Sequence, residues 1–129
     1  MVSNDTWIWL FFKFNGRIRR LEFLLAFVFL MLVDLATSRM TNGLSSFILL
    51  WPNIAIMAKR MHDMGYSGLY LLYLFGAALV IAFLFIATAL PVVLLLGFAL
   101  GLGFNIWLLT TPGQPGANRY GAPPIISTR

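Results

Sequence analysis

The chain has no cysteine, one histidine, nine basic and only four acidic residues in 129 positions. Without cysteine there are no disulfides, no thiolate metal sites and no cysteine nucleophile. A lone histidine, His62, among few carboxylates makes a poor metal site. As a general base His62 lacks a recognisable nucleophile. Gly65-Tyr66-Ser67-Gly68 is not a nucleophile elbow, because its second glycine falls one position too early. These scarcities point away from an enzyme, and no cofactor is expected. The net charge of +5 does not argue for nucleic acid, because the placement of the charges is better explained by membrane topology.

Apolar residues are what the chain has in excess. It is 60% hydrophobic and 10% charged, more apolar surface than a soluble domain of this length buries. Lipid is the expected solvent and membrane lipids the expected partners. The length allows one domain at most, residues 1–129. No internal repeat or low-complexity tract stands out.

Residues 5–14 are aromatic, with Trp7, Trp9, Phe11, Phe12 and Phe14, and too short to span a bilayer. They read as an interfacial segment, which Asn15-Gly16 breaks. The first span is expected at about 21–40, after Arg17, Arg19 and Arg20, with Glu22 suiting the positive end of its dipole. A cleaved signal peptide is rejected, because the apolar run starts late, is long, and meets Asp34 before any plausible cleavage site. Thr41-Asn42-Gly43 turns the chain into a second span, about 44–61. It is the least apolar, holding Ser45, Ser46, Pro52 and Asn53, with a kink expected at Pro52. Gly65 ends that helix. Ser67 is a candidate N-cap for the third span, about 69–90. Pro91 marks the join to the fourth, about 92–110, because the uncharged run is too long for one crossing. Gly97 and Gly101 form a Gly-xxx-Gly pair suited to helix packing, although glycine is common in membrane helices in any case. Residues 111–129 read as an ordered surface loop, Pro112-Gly113-Gln114-Pro115-Gly116, followed by a flexible tail.

With four spans, Lys13, Arg17, Arg19, Arg20, Lys59, Arg60, Arg119 and Arg129 fall on one side, and only Arg39 on the other. By the positive-inside rule the basic side is cytoplasmic. The expected fold is therefore all-α, an integral membrane bundle of four transmembrane helices with an interfacial N-terminal segment and both termini cytoplasmic.

Three segments resemble the bacterial inner-membrane family catalogued as domain of unknown function 805. Gly16-Arg17-Ile18-Arg19-Arg20-Leu21-Glu22-Phe23 is similar to its Gly-Arg-x-x-Arg-x-Glu-Phe. Lys59-Arg60-Met61-His62-Asp63 continuing to Gly65-Tyr66-Ser67-Gly68 is similar to its Arg-Arg-Leu-His-Asp-x-Gly-x-Ser-Gly. Gly113-Gln114-Pro115-Gly116-Ala117-Asn118-Arg119-Tyr120-Gly121 is similar to its Pro-Gly-x-x-Gly-x-Asn-x-Tyr-Gly. Leu24, Leu69-Tyr70 and Lys59 depart from the family's Trp, Trp-Trp and Arg. The resemblance implies a small multi-span protein of the bacterial inner membrane and brings no activity with it.

All three segments are expected on the cytoplasmic face. Asp63 lies near a helix C-terminus, where the dipole disfavours it, so it calls for a cation; Arg17, Arg20 and Arg119 are the candidates. Glu22 has Arg60 as its candidate. The expected network is Arg17, Arg20, Glu22, Arg60, His62, Asp63, Asn118, Arg119 and Tyr120. It either closes the bundle or holds an anion or lipid headgroup, since the arginine fork suits both carboxylate and phosphate. Within the spans, Asp34 reads as a hydrogen-bonded residue near the outer interface, and Asn53 and Asn105 as interhelical hydrogen-bonders; the alternative is a polar path. The leading expectation is a non-enzymatic scaffold or accessory subunit of a larger membrane complex or homo-oligomer. The alternatives are an oligomeric transporter or channel, then headgroup binding or modification.

Overall fold

The computed structural model describes residues 4–124. Among these the protein is all-α, with five helices: α1 (Asn4–Phe12), α2 (Arg20–Thr37), α3 (Leu44–Asp63), α4 (Tyr70–Thr88) and α5 (Pro91–Thr110). The expected flexible end beyond Pro124, with Arg129, lies outside the described residues.

Local sequence explains where each helix stops. Asn42 and Gly43 both take positive φ and turn α2 into α3. Gly65 adopts φ +86°, its N–H bonds the His62 carbonyl and the Tyr66 N–H bonds the Met61 carbonyl. That pair of bonds is a Schellman closure, which favours glycine because only glycine takes this conformation without strain. Ser67 Oγ accepts the Leu69 N–H at 3.2 Å and tightens the entry to α4. Ala89, in the left-handed region, closes α4, and Pro91 opens α5 at a position where its missing N–H costs nothing. Helix α3 runs through Pro52 without interruption.

Helix α3 is the centre of the molecule. Helices α1, α2 and α5 pack against it, and α4 packs on α5. Phe23, Ala26 and Leu30 of α2 meet Ile56, Ala58 and Met61 of α3, with Phe11, Ile18, Leu71 and Leu108 completing the core. Helix α1 lies against α3 with its C-terminus tied down. Lys59 Nζ donates to the Leu10 carbonyl at 2.6 Å and Trp51 Nε1 to the Phe12 carbonyl at 3.3 Å. These are carbonyls that a helix end leaves without partners, and the cation also suits the dipole there.

Two helices, α4 and α5, are long and apolar enough to cross a membrane. Few of their residues are buried by the rest of the chain. A core helix of a soluble domain would be covered. Here Phe83, Ile86, Leu95 and Phe98 are exposed, Ile86 to 80%. Helices α2 and α3 are of similar length, about 27–30 Å at 1.5 Å per residue, but carry more charge and polarity: Arg20, Glu22 and Asp34 in one, Lys59, Arg60 and Asp63 in the other.

Candidate functional site

The charged residues of α3 and the segment before α2 converge at one end of the molecule, where α2 and α4 begin and α3 and α5 end. Asp63 is at the centre and is buried, as are Arg17, Lys59 and Arg60. The Arg17 Nε donates to Asp63 Oδ1 at 3.0 Å. Arg60 Nη1 donates to Asp63 Oδ2 at 2.5 Å. One carboxylate thus holds two guanidinium groups.

The remaining arginine donors go to backbone carbonyls of the returning tail. Arg17 Nη1 reaches the Gly116 carbonyl at 2.7 Å and that of Gly121 at 3.3 Å. Its Nη2 reaches the Gln114 carbonyl at 2.5 Å and that of Asp63 at 3.5 Å. Arg60 Nε donates to the Leu108 carbonyl at 2.8 Å, and its Nη2 to that of Thr111. A guanidinium has five N–H groups, so the Arg17 fork is saturated. Arg60 neutralises the carbonyl end of α5, an arrangement the helix dipole favours. The Gln114 N–H closes the loop on the Asp63 carbonyl at 2.8 Å. A side chain at Gly113 would run into the Asp63 carboxylate, so the tail can approach this closely only as glycine.

A second knot lies beside the clamp. The Asn118 Nδ2 donates to the His62 carbonyl and to Gln114 Oε1, both at 2.9 Å, while its Oδ1 accepts the Tyr120 N–H. The Tyr120 ring stacks on His62 at 3.8 Å and 7°. Arg119 lies with its guanidinium 4.8 Å from the Tyr120 ring centre, a cation–π contact. His62 Nδ1 is 3.2 Å from the Gly16 carbonyl.

Of the residues expected to form the network, Arg17, Arg60, His62, Asp63, Asn118 and Tyr120 are brought together. Of the three candidates for Asp63, Arg17 is the partner, and the other candidate contacts are not made. Glu22 does not reach Arg60; its Oε2 accepts the Arg19 N–H at 2.9 Å, capping α2, because Arg60 is turned to Asp63 and α5. Arg20 does not reach Asp63 but donates to the Thr110 carbonyl at 3.3 Å. Arg119 is outside the cluster, on Tyr120, because Arg17 and Arg60 already occupy both carboxylate oxygens. The sequence reading missed Lys59, fully buried over the Trp9 ring at 4.9 Å, and Gln114. It also missed the backbone acceptors, which no side-chain pattern reveals.

Within the helices, Asp34 Oδ1 accepts from Ser46 Oγ at 2.7 Å and Ser45 Oγ at 3.1 Å. This fits the expected hydrogen-bonded aspartate. Asn53 and Asn105 do not bond across helices. Each amide donates to the carbonyl four residues before it, Leu49 and Gly101, at 2.9 Å, a partner that its own helix always offers. Asn105 Oδ1 is buried with no hydrogen bond among the described residues. A Cβ on Gly97 would lie 3.1 Å from Ile81 Cγ2, so Gly97 sits where α4 and α5 meet closely, while Gly101 has open space. Both line an apolar recess of about 470 Å³ between α3, α4 and α5, together with Asn53 and Asn105.

Fold and site together describe a helical protein with two helices fit to cross a membrane and a buried ionic clamp over one end. The chain belongs to the family described as protein of unknown function (DUF805), whose sequence profile matches residues 37–122. The match includes Lys59–Gly68 and Gly113–Gly121, the two segments that supply Asp63 and the tail carbonyls. Arg17, which joins them, lies outside the matched stretch. No curated protein and no solved structure matches the chain.

Proposed function

We propose that this is a small, non-enzymatic, four-span protein of the bacterial inner membrane, serving as a scaffold or accessory subunit that packs laterally against membrane partners. The observation that carries this reading is the contrast between its two surfaces. The polar cluster turns inward, with every Arg17 donor used on its own chain. The α4–α5 hairpin is strongly apolar and leaves most of its large side chains exposed.

The clamp supports four crossings. Lys13, Arg17, Arg19, Arg20, Lys59, Arg60 and Arg119 attach to the end where α2 and α4 begin, and Arg39 follows the far end of α2. The positive-inside rule makes the basic end cytoplasmic, with both termini. Arg17, saturated by carboxylate and carbonyls, has no fork left for a phosphate, and Arg60 is buried against Asp63 and α5, so the clamp holds the fold rather than a headgroup. Gentle extraction followed by native mass spectrometry tests the role. A mass equal to this chain plus defined membrane proteins, or a stable homo-oligomer, is the expected result; a lone chain in every mild detergent contradicts lateral assembly.

Transport is the second reading. It rests on Asn53, which lines both the large recess with Asn105 and a smaller one of about 190 Å³ with Asp34 and Ser46. Asp34, Asn53 and Asn105 thereby edge adjoining recesses. Flux lost on Asp34→Asn with folding intact would favour it; unchanged leak in loaded vesicles would remove it.

A further inference from the structure

A further recess of about 340 Å³, sharing Ile54 and Phe75 with the larger one, lies at the clamped end, beside His62. Its walls are apolar, from Phe14, Ile54, Ala58, Leu71, Leu72 and Phe75. Its lip is polar. The His62 Nδ1 faces the Gly16 carbonyl, which can only accept, so Nδ1 carries the hydrogen and Nε2 of the neutral ring is left with a lone pair. Nε2 makes no hydrogen bond among the described residues. It points toward Gly68, another residue of the lining: a Cβ there would stand 3.3 Å from it. Ser67 is on the same lip, and its Oγ accepts from the Leu69 N–H, leaving its own hydrogen to donate. Behind His62, Tyr120 stacks face to face. That face is occupied, so the Arg119 guanidinium lies over the other. Arg119 is exposed, unlike the arginines of the clamp.

The geometry points to a binding site for one phospholipid whose head group carries a hydrogen-bond donor, its acyl chain in the Phe14–Leu72–Phe75 recess and its donor on His62 Nε2. The recess provides apolar walls with a few placed polar groups, the usual form of a ligand site. The Ser67 hydroxyl, on the same lip, suits an ester or phosphate oxygen. Phosphatidylethanolamine, through its ammonium, and phosphatidylglycerol, through its hydroxyls, share this chemistry; phosphatidylcholine has no such donor. The inference rests on the membrane setting proposed above and is independent of any lateral partner.

The single histidine makes the test direct, because histidine-selective ¹⁵N labelling gives one pair of ring resonances. The protein is placed in phosphatidylcholine nanodiscs, and phosphatidylethanolamine or phosphatidylglycerol is then introduced in graded amounts. Co-elution with the discs reports the membrane setting by itself. The expected result is a saturable shift of the Nε2 resonance with one or both donor lipids, while Nδ1 stays; the lipid that acts names the head group. Leu72→Trp fills the recess from a wall residue that is 66% exposed and should abolish the shift. Leu79→Trp, on α4 outside the recess and similarly exposed, should leave it. An Nε2 resonance unmoved by both donor lipids overturns the site. So does a shift that survives Leu72→Trp, or one that follows protein density in the disc, which would mark a second copy instead.

Discussion

Asp63 is one negative charge holding two buried positive ones, and the surplus is met by carbonyl dipoles of the tail and of α5. Removing one member of such a buried group leaves the others without compensation, a loss of about 3–5 kcal/mol. Asp63→Asn should therefore lower the unfolding free energy of the detergent-solubilised protein by an amount of that size, read as a lower denaturant midpoint. Arg17→Lys should cost nearly as much, although charge is kept, because an ammonium has three donors for five acceptors and no planar fork. A midpoint unchanged by Arg17→Lys would mean that charge alone holds the tail. At this scale the sequence was half legible. The position of Asp63 at a helix C-terminus demanded a cation, and Arg17 was among the candidates. Nothing local distinguished Arg17 from Arg20 or Arg119, since the choice depends on a tail returning some fifty residues later. Asn53 and Asn105 were misread because an asparagine in a helix can always bond its own chain.

At the scale of elements, the tail loop and α1 depend on close approaches that single substitutions can block. A methyl group at Gly113 would collide with the Asp63 carboxylate, whereas one at Gly116 meets nothing. Gly113→Ala is expected to destabilise by about 1–3 kcal/mol, the usual cost of overpacking, and Gly116→Ala by far less. Thermal unfolding of the two variants compares them directly, and equal midpoints would contradict the close approach. Helix α1 is fastened by Lys59 and Trp51 to α3. Lys59→Met keeps the buried stem and leaves the Leu10 carbonyl unmet, a loss of about 1–3 kcal/mol. Hydrogen exchange in α1 should then quicken while α5 is unchanged; uniform quickening would show that Lys59 supports the whole fold. Helix limits were readable because glycine, proline and aspartate-free apolar runs punctuate this chain clearly. The docking of α1 was not, since its aromatic residues suit a lipid interface and a protein surface equally.

For the whole molecule, the proposed arrangement is a bundle whose ionic clamp faces the cytoplasm and whose function is exercised sideways, through the membrane. The proposed orientation rests on the apolar excess and the placement of the basic segments. The burial of Lys59 and Arg60 was not legible, because the positive-inside pattern speaks of side and not of depth. The natural absence of cysteine gives a clean background for the decisive measurement, single-cysteine accessibility in oriented membrane vesicles. Asn15→Cys and Gly116→Cys should react with an impermeant thiol reagent only from the cytoplasmic side. Asn42→Cys and Leu90→Cys should react only from the opposite side. Labelling of all four from one side would contradict the four crossings and the account built on them.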